Sequence, residues 1–185
     1  MSEQGLMDLV YGDESRISLQ PCVPSAWQFK GEDVFMPSAK GQGLNCFALL
    51  SRTNRCRFQT TTEAINARFI VEPLETLSVE ALRLKRVTVI VLDNAPADVA
   101  GLVKERTAFW PQRGLFVFYL PSYSRRPVGT RLNIVEVLWR KLKYQWLRPQ
   151  DYLQNDALFY RVTQALAAVG SLLKIHFAPF QHNLT

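Results

Sequence analysis

At 185 residues, with 48% apolar and 21% charged residues, the chain is long enough for one domain with a substantial core and too apolar for a disordered segment. No apolar run approaches the roughly 20 residues that cross a membrane, and Met1-Ser2-Glu3-Gln4-Gly5 lacks the basic and apolar regions of a secretory signal, so a cytoplasmic setting is expected. The net charge of +6 is unevenly placed: residues 1–92 carry ten cations and ten acids, whereas residues 104–148 carry ten cations against Glu105 and Glu136 alone. That concentrated positive stretch suits a polyanion such as DNA or RNA.

The first strand is expected over about 7–13, where Met7, Leu9 and Tyr11 alternate before Asp13. A loop with Pro21, Pro24 and Gly31 follows. Residues 44–50 and 55–60 then read as two strands of a meander, with Ser51 to Asn54 as the turn. Thr62 is placed to cap a helix starting near Glu63, with Ile65, Phe69, Leu74 and Leu77 at helical spacing and Pro73 expected to kink or interrupt it. Val87-Thr88-Val89-Ile90-Val91-Leu92 has the pattern of a central strand covered on both faces. A helix over about 97–108, a strand over 115–120, a Pro/Gly/Arg-rich loop over 121–132, a helix over about 133–147 and a last helix over about 156–174 complete the chain. Three antiparallel strands followed by helix, strand, helix, strand and helix predict an α/β fold, a mixed sheet with helices on both faces.

Cys22, Cys46 and Cys56 have no Cys-x-x-Cys spacing and read as structural thiols. His176 and His182 have no ligand-spaced Cys or carboxylate, so a zinc site is not expected. Neither a Ser-His-Asp nor a Cys-His arrangement is apparent.

The acids are more informative. Asp13 follows Leu9-Val10-Tyr11, Asp93 ends the run 87–92, and Glu136 sits in a basic helix. In this element order the first and fourth strands can lie side by side, which would bring Asp13 and Asp93 together at their ends. On the helix after Asn133, Val135, Trp139, Leu142 and Trp146 form the apolar stripe, and Glu136, Arg140 and Lys143 share the adjoining face. For that helix alone, a surface Glu136–Arg140 pair is the preferred reading, and it gives way only when Asp13, Asp93 and the strand order are taken with it. Three carboxylates converging among cations would suit divalent metal ions and phosphodiester chemistry.

Four blocks taken in order, Tyr11-Gly12-Asp13-Glu14-Ser15, Val91-Leu92-Asp93-Asn94-Ala95-Pro96, Tyr119-Leu120-Pro121-Ser122-Tyr123-Ser124 and Leu132-Asn133-Ile134-Val135-Glu136-Val137-Leu138-Trp139-Arg140-Lys141-Leu142-Lys143, resemble the DDE superfamily endonuclease domain of bacterial insertion-sequence transposases of the mariner-related superfamily. The resemblance covers about residues 7–150. It implies a ribonuclease-H-like mixed sheet and a metal-dependent DNA strand transferase, with Asp13, Asp93 and Glu136 as first, second and third acid. It also implies two Mg²⁺ (or Mn²⁺) ions about 3.5–4 Å apart. Asp13 is preferred over its neighbour Glu14 by the motif match. Arg125, Arg126, Arg140, Lys141 and Lys143 are candidates for DNA phosphate contacts.

The chain is thus expected to form one catalytic domain over 1–185, without the helix-turn-helix module that precedes the domain in full-length relatives. DNA is the expected partner, with a separate N-terminal recognition polypeptide and self-association as further partners, in a nucleoid-associated bacterial setting. Two alternatives stay open: another ribonuclease-H-like nuclease, or a decayed, non-catalytic remnant that binds DNA or a partner.

Overall fold

The computed structural model describes residues 7–22, 29–33, 40–93, 97–120 and 133–178, with 97–100 as backbone only. Strand β1 (Met7–Ile17) pairs antiparallel with β2 (Leu44–Ser51), which pairs antiparallel with β3 (Cys56–Thr61). Helix α1 (Ala67–Leu84) crosses over to β4 (Val87–Leu92), parallel to β1, and α2 (Ala97–Arg106) leads to β5 (Leu115–Tyr119), parallel to β4. The sheet order is β3-β2-β1-β4-β5. This is the expected mixed sheet, in the ribonuclease-H-like arrangement. Helices α3 (Val135–Lys141) and α4 (Asn155–Ala167) follow β5.

Strand alternation divides the core in two. Val10, Phe47, Leu49, Ile90 and Leu92 pack with Ile70, Leu74 and Leu77 of α1, and with Val103 of α2, on one face. Tyr11, Cys46, Ala48 and Leu50 pack with Val135, Leu138 and Trp139 of α3 and Leu158, Val162 and Leu166 of α4 on the other. No helix of the described structure is long and apolar enough to cross a membrane.

Several boundaries differ from expectation. β1 continues to Ile17, because β2 supplies partners as far as Leu44 opposite Ile17. Asn66, rather than Thr62, caps α1: its side-chain oxygen accepts from the Phe69 N–H at 3.0 Å. Pro73 does not interrupt this helix. Proline cannot donate to the carbonyl four residues back, that of Phe69, and the Gln59 side-chain amide on β3 donates to it instead. The helix expected over 133–147 is α-helical only to Lys141 and widens into a π-helical turn at Leu142–Trp146.

The last helix ends at Ala167, short of the expected 174. Gly170 takes φ 91°, and a Cβ there would lie 2.5 Å from the Asn54 carbonyl oxygen, so the chain turns where only glycine lets it approach the β2–β3 turn. The expectation that β4 is covered on both faces holds fully for one face, where Thr88, Ile90 and Leu92 are buried. On the other, Val91 is half-buried against the core beneath α3 and α4, Val89 is half-buried, and Val87 is exposed, as are Phe116 and Phe118 of the neighbouring β5.

Candidate active site

β1 and β4 are parallel and in register through Gly12 opposite Leu92. The next residue on each is Asp13 and Asp93, so two carboxylates stand at adjacent strand positions. Their proximity shows in their electrostatics. Burial first, then the negative charges of Glu14 and Asp93, push the Asp13 carboxyl up to about 7, against the lowering effect of a backbone hydrogen bond and of the Trp139 indole. Glu14 is also raised, by burial and then by Asp93.

Gly12 makes this close strand packing possible. A Cβ at that position would meet Leu92 Cδ2 at 2.6 Å and Leu49 Cδ2 at 3.0 Å on the α1 side of the sheet. Asp13 faces the opposite side with Tyr11, where Trp139 Nε1 donates to its Oδ2 at 3.0 Å. Glu14 alternates to the far face. This geometry selects Asp13 over Glu14 as the acid that faces α3.

Helix α3 is tied to β1 by a buried asparagine. Asn133, 1% exposed, donates through Nδ2 to the Gly12 carbonyl at 3.0 Å, and its Oδ1 accepts from the Val135 N–H at 3.1 Å. The same side chain therefore satisfies one of the open N–H groups at the helix start and grips the residue before Asp13. Glu136 lies in the first turn of α3, half-buried, one turn before Trp139. Sequence reasoning placed Trp139 in the apolar stripe, where it is, and missed that its N–H reaches Asp13. A tryptophan three residues after Glu136 was the available signal.

Arg140 is exposed on α3, Lys141 is half-buried with its Nζ donating to Gln145 at 3.1 Å, and Lys143 leans toward β2. Lys143 is near enough to Cys46 to favour its thiolate, although burial pushes that thiol up to about 12. Arg125 and Arg126 lie outside the described residues.

The donor chemistry suits a hard divalent cation: carboxylate oxygens lie close together, and burial with neighbouring negative charge opposes ionisation of Asp13 and Glu14. Asp13 and Asp93 are brought together; among the described residues, no group of three His, Cys, Asp or Glu side chains is arranged to hold a metal ion. Glu14 does not complete a set, since strand alternation turns it away from the side that Asp13 faces.

Among solved structures, the Mos1 strand transfer complex is similar at 17% identity and a TM-score of 0.44, over 90% of this chain and 56% of that one. A pre-cleavage Mos1 transpososome gives 15% and 0.46, over 92% and 58%. The Mos1 mariner paired end complex with Mn gives 16% and 0.45, over 90% and 56%. The chain thus spans a little over half the length of these solved chains. No curated protein matches the sequence. The family model of the DDE superfamily endonucleases matches residues 8–158, which takes in every strand, α1 to α3 and the start of α4. By that match the chain belongs to the DDE superfamily endonucleases.

Proposed function

We propose that this domain is the catalytic part of a DNA transposase, cleaving a DNA strand and transferring its end in a divalent-metal-dependent reaction. The observation that carries the reading is the pair Asp13 and Asp93, side by side where the parallel pairing of β1 and β4 ends, in a chain of this family, with α3 fastened beside them. Asp13, Asp93 and Glu136 would hold the ions, two Mg²⁺ or Mn²⁺. When bound, such ions activate the attacking hydroxyl and stabilise the leaving oxygen of a phosphodiester.

The other residues position this set. Trp139 fixes one oxygen of Asp13 by its N–H. Asn133 sets where α3 begins relative to β1, and so where Glu136 stands. Arg140, Lys141 and Lys143, with Arg125 and Arg126 of the preceding loop, would neutralise DNA phosphates without reading sequence. DNA ends and target DNA are the substrates of this reading. A separate N-terminal recognition polypeptide and self-association would supply site choice and the pairing of two ends.

The test is nicking of supercoiled plasmid with Mn²⁺ by the wild-type chain beside Asp13→Asn, Asp93→Asn and Glu136→Gln. Nicking by wild type alone is the expected result. Equal nicking by all four proteins would refute the assignment of these acids. Nicking by none, also after a recognition subunit is added, would refute catalysis and leave a DNA-binding remnant.

A further inference from the structure

The sheet ends at β5 on one side, and among the described residues no strand pairs beyond it. Sheets usually blunt such an edge with charges, prolines or bulges, because a row of open N–H and C=O groups recruits another strand. The opposite edge, β3, carries Arg57, which pairs with Glu80. Leu115-Phe116-Val117-Phe118-Tyr119 carries no charge and no proline.

The ladder to β4 fixes which peptide groups of β5 are open. The Thr88 N–H donates to the Gly114 carbonyl at 2.8 Å, and the Leu120 N–H donates to the Leu92 carbonyl at 2.9 Å. Between these bonds Thr88 stands opposite Leu115 and Leu92 opposite Tyr119. A parallel ladder with those ends turns the peptide groups of Gly114, Phe116, Phe118 and Leu120 toward β4. The N–H and C=O groups of Leu115, Val117 and Tyr119 point outward. Side chains alternate as well. Leu115 and Val117 pack toward α1, while Phe116 and Phe118, 38% and 58% exposed, stand on the other face beside Val89 and Val91.

The strand is nearly a palindrome about Val117: a phenylalanine lies on each side, and Leu115 and Tyr119 lie beyond. That symmetry selects the partner. A second copy of the strand, laid antiparallel about a two-fold axis at Val117, sets open groups against open groups. Val117 meets Val117 and Leu115 meets Tyr119, with about six hydrogen bonds exchanged. Phe116 then stands opposite Phe118 of the second copy at a non-hydrogen-bonded pair. Side chains approach most closely there, and aromatic pairs across strands are favourable.

We infer that β5 is the interface of a two-fold dimer of this chain, in which two sheets join edge to edge. An isologous contact of this kind closes on itself, whereas β5 against β3 of another copy would grow as an open array. The contact is small. Phe116 and Phe118 together expose about one side chain's area, roughly 200 Å² per copy. Even with the strand edge added, the interface stays below the roughly 1,200 Å² of stable complexes, so the dimer is reversible, with a micromolar dissociation constant. The inference goes beyond the catalytic reading and requires neither metal nor DNA.

The test is sedimentation velocity of the full chain in EDTA, without DNA, from about 1 to 300 µM. In the inferred register position 116 faces position 118 of the second copy. The variant Phe116→Lys/Phe118→Lys therefore sets like charges opposite each other, and Phe116→Lys/Phe118→Glu sets opposite charges. Both lose the same two phenylalanines, so each controls for the other's effect on folding. A third variant, Tyr119→Pro, removes an outward N–H and no bond to β4, leaving the two phenylalanines in place. Wild type is expected to pass from monomer to dimer over this range. The Lys/Lys variant should dimerise at least tenfold more weakly. The Lys/Glu variant should recover about fivefold over Lys/Lys at low salt and lose that gain at high salt. Tyr119→Pro should weaken the dimer severalfold.

A wild type that stays monomeric throughout would overturn the inference, as would a Lys/Lys variant that dimerises like wild type. A Lys/Glu variant no tighter than Lys/Lys at low salt would overturn the register and with it the two-fold pairing. Species that grow beyond a dimer with concentration would show open β5–β3 pairing instead. No nicking is read, so failure of the proposed catalysis would leave these outcomes intact.

Discussion

Asn133→Ala removes the one described side chain that bonds both to β1 beside Asp13 and to the start of α3. The site is 1% exposed, so neither freed group gains water readily. The substitution leaves the Val135 N–H without its acceptor and the Gly12 carbonyl without its donor from α3. A buried polar group stripped of its partner costs about 1–3 kcal/mol. The carbonyl has a second lone pair and the helix start can adjust, so the expected total is about 2–4 kcal/mol. Urea unfolding at pH 7, with the slope unchanged from wild type, measures it.

Asn133→Asp serves as the control. It keeps an acceptor for the Val135 N–H but sets a carboxylate oxygen against the Gly12 carbonyl. It should be at least as destabilising as alanine at pH 7 and recover part of the loss near pH 4, where a protonated carboxyl can donate. A loss below about 0.5 kcal/mol for both variants would refute the view that this side chain fastens α3 to the strand bearing Asp13.

Other outcomes follow from the same geometry. Asp13 is raised to about 7 in the folded chain from 3.8, so the folded state binds the extra proton. Its stabilising effect is complete below about pH 4 and is lost as pH rises through 7. In EDTA, Asp13→Asn should match wild type near pH 4 and exceed it at pH 8, by up to about 4 kcal/mol; a less stable variant at pH 8 contradicts the assignment. Mg²⁺ at pH 8 should raise the melting temperature of wild type more than that of Asp13→Asn, since an ion bound only by the folded state stabilises it. Gly12→Ala should cost about 1–3 kcal/mol by overpacking against Leu92 and Leu49, read by chemical denaturation. Gln59→Ala should cost about 1 kcal/mol in wild type and much less in a Pro73→Ala background, where the new N–H can take the Phe69 carbonyl; a double-mutant cycle without coupling would show that Gln59 does not compensate for the proline.

The sequence by itself determined the element order, the class of sheet and the pairing of Asp13 with Asp93. Alternation along 7–13 and the β-branched run 87–92 are local signals, and right-handed crossovers leave few ways to arrange such elements. It also determined the family, because four short blocks recur in fixed order. Sequence alone favoured Thr62 as cap and a break at Pro73, since propensity cannot see that a glutamine on another strand accommodates the proline. It read charge along the chain and found residues 1–92 balanced, whereas folding sets Asp13 beside Asp93, eighty positions away, so that one negative charge raises the other group. It read Trp139 as packing, although the indole both packs and donates to Asp13. Only the tertiary structure decided these points. Hydrophobic period is written every two or three residues, but a hydrogen-bond partner or a field is set by residues more than a hundred positions away, as Asn133 is from Gly12 and Trp139 from Asp13.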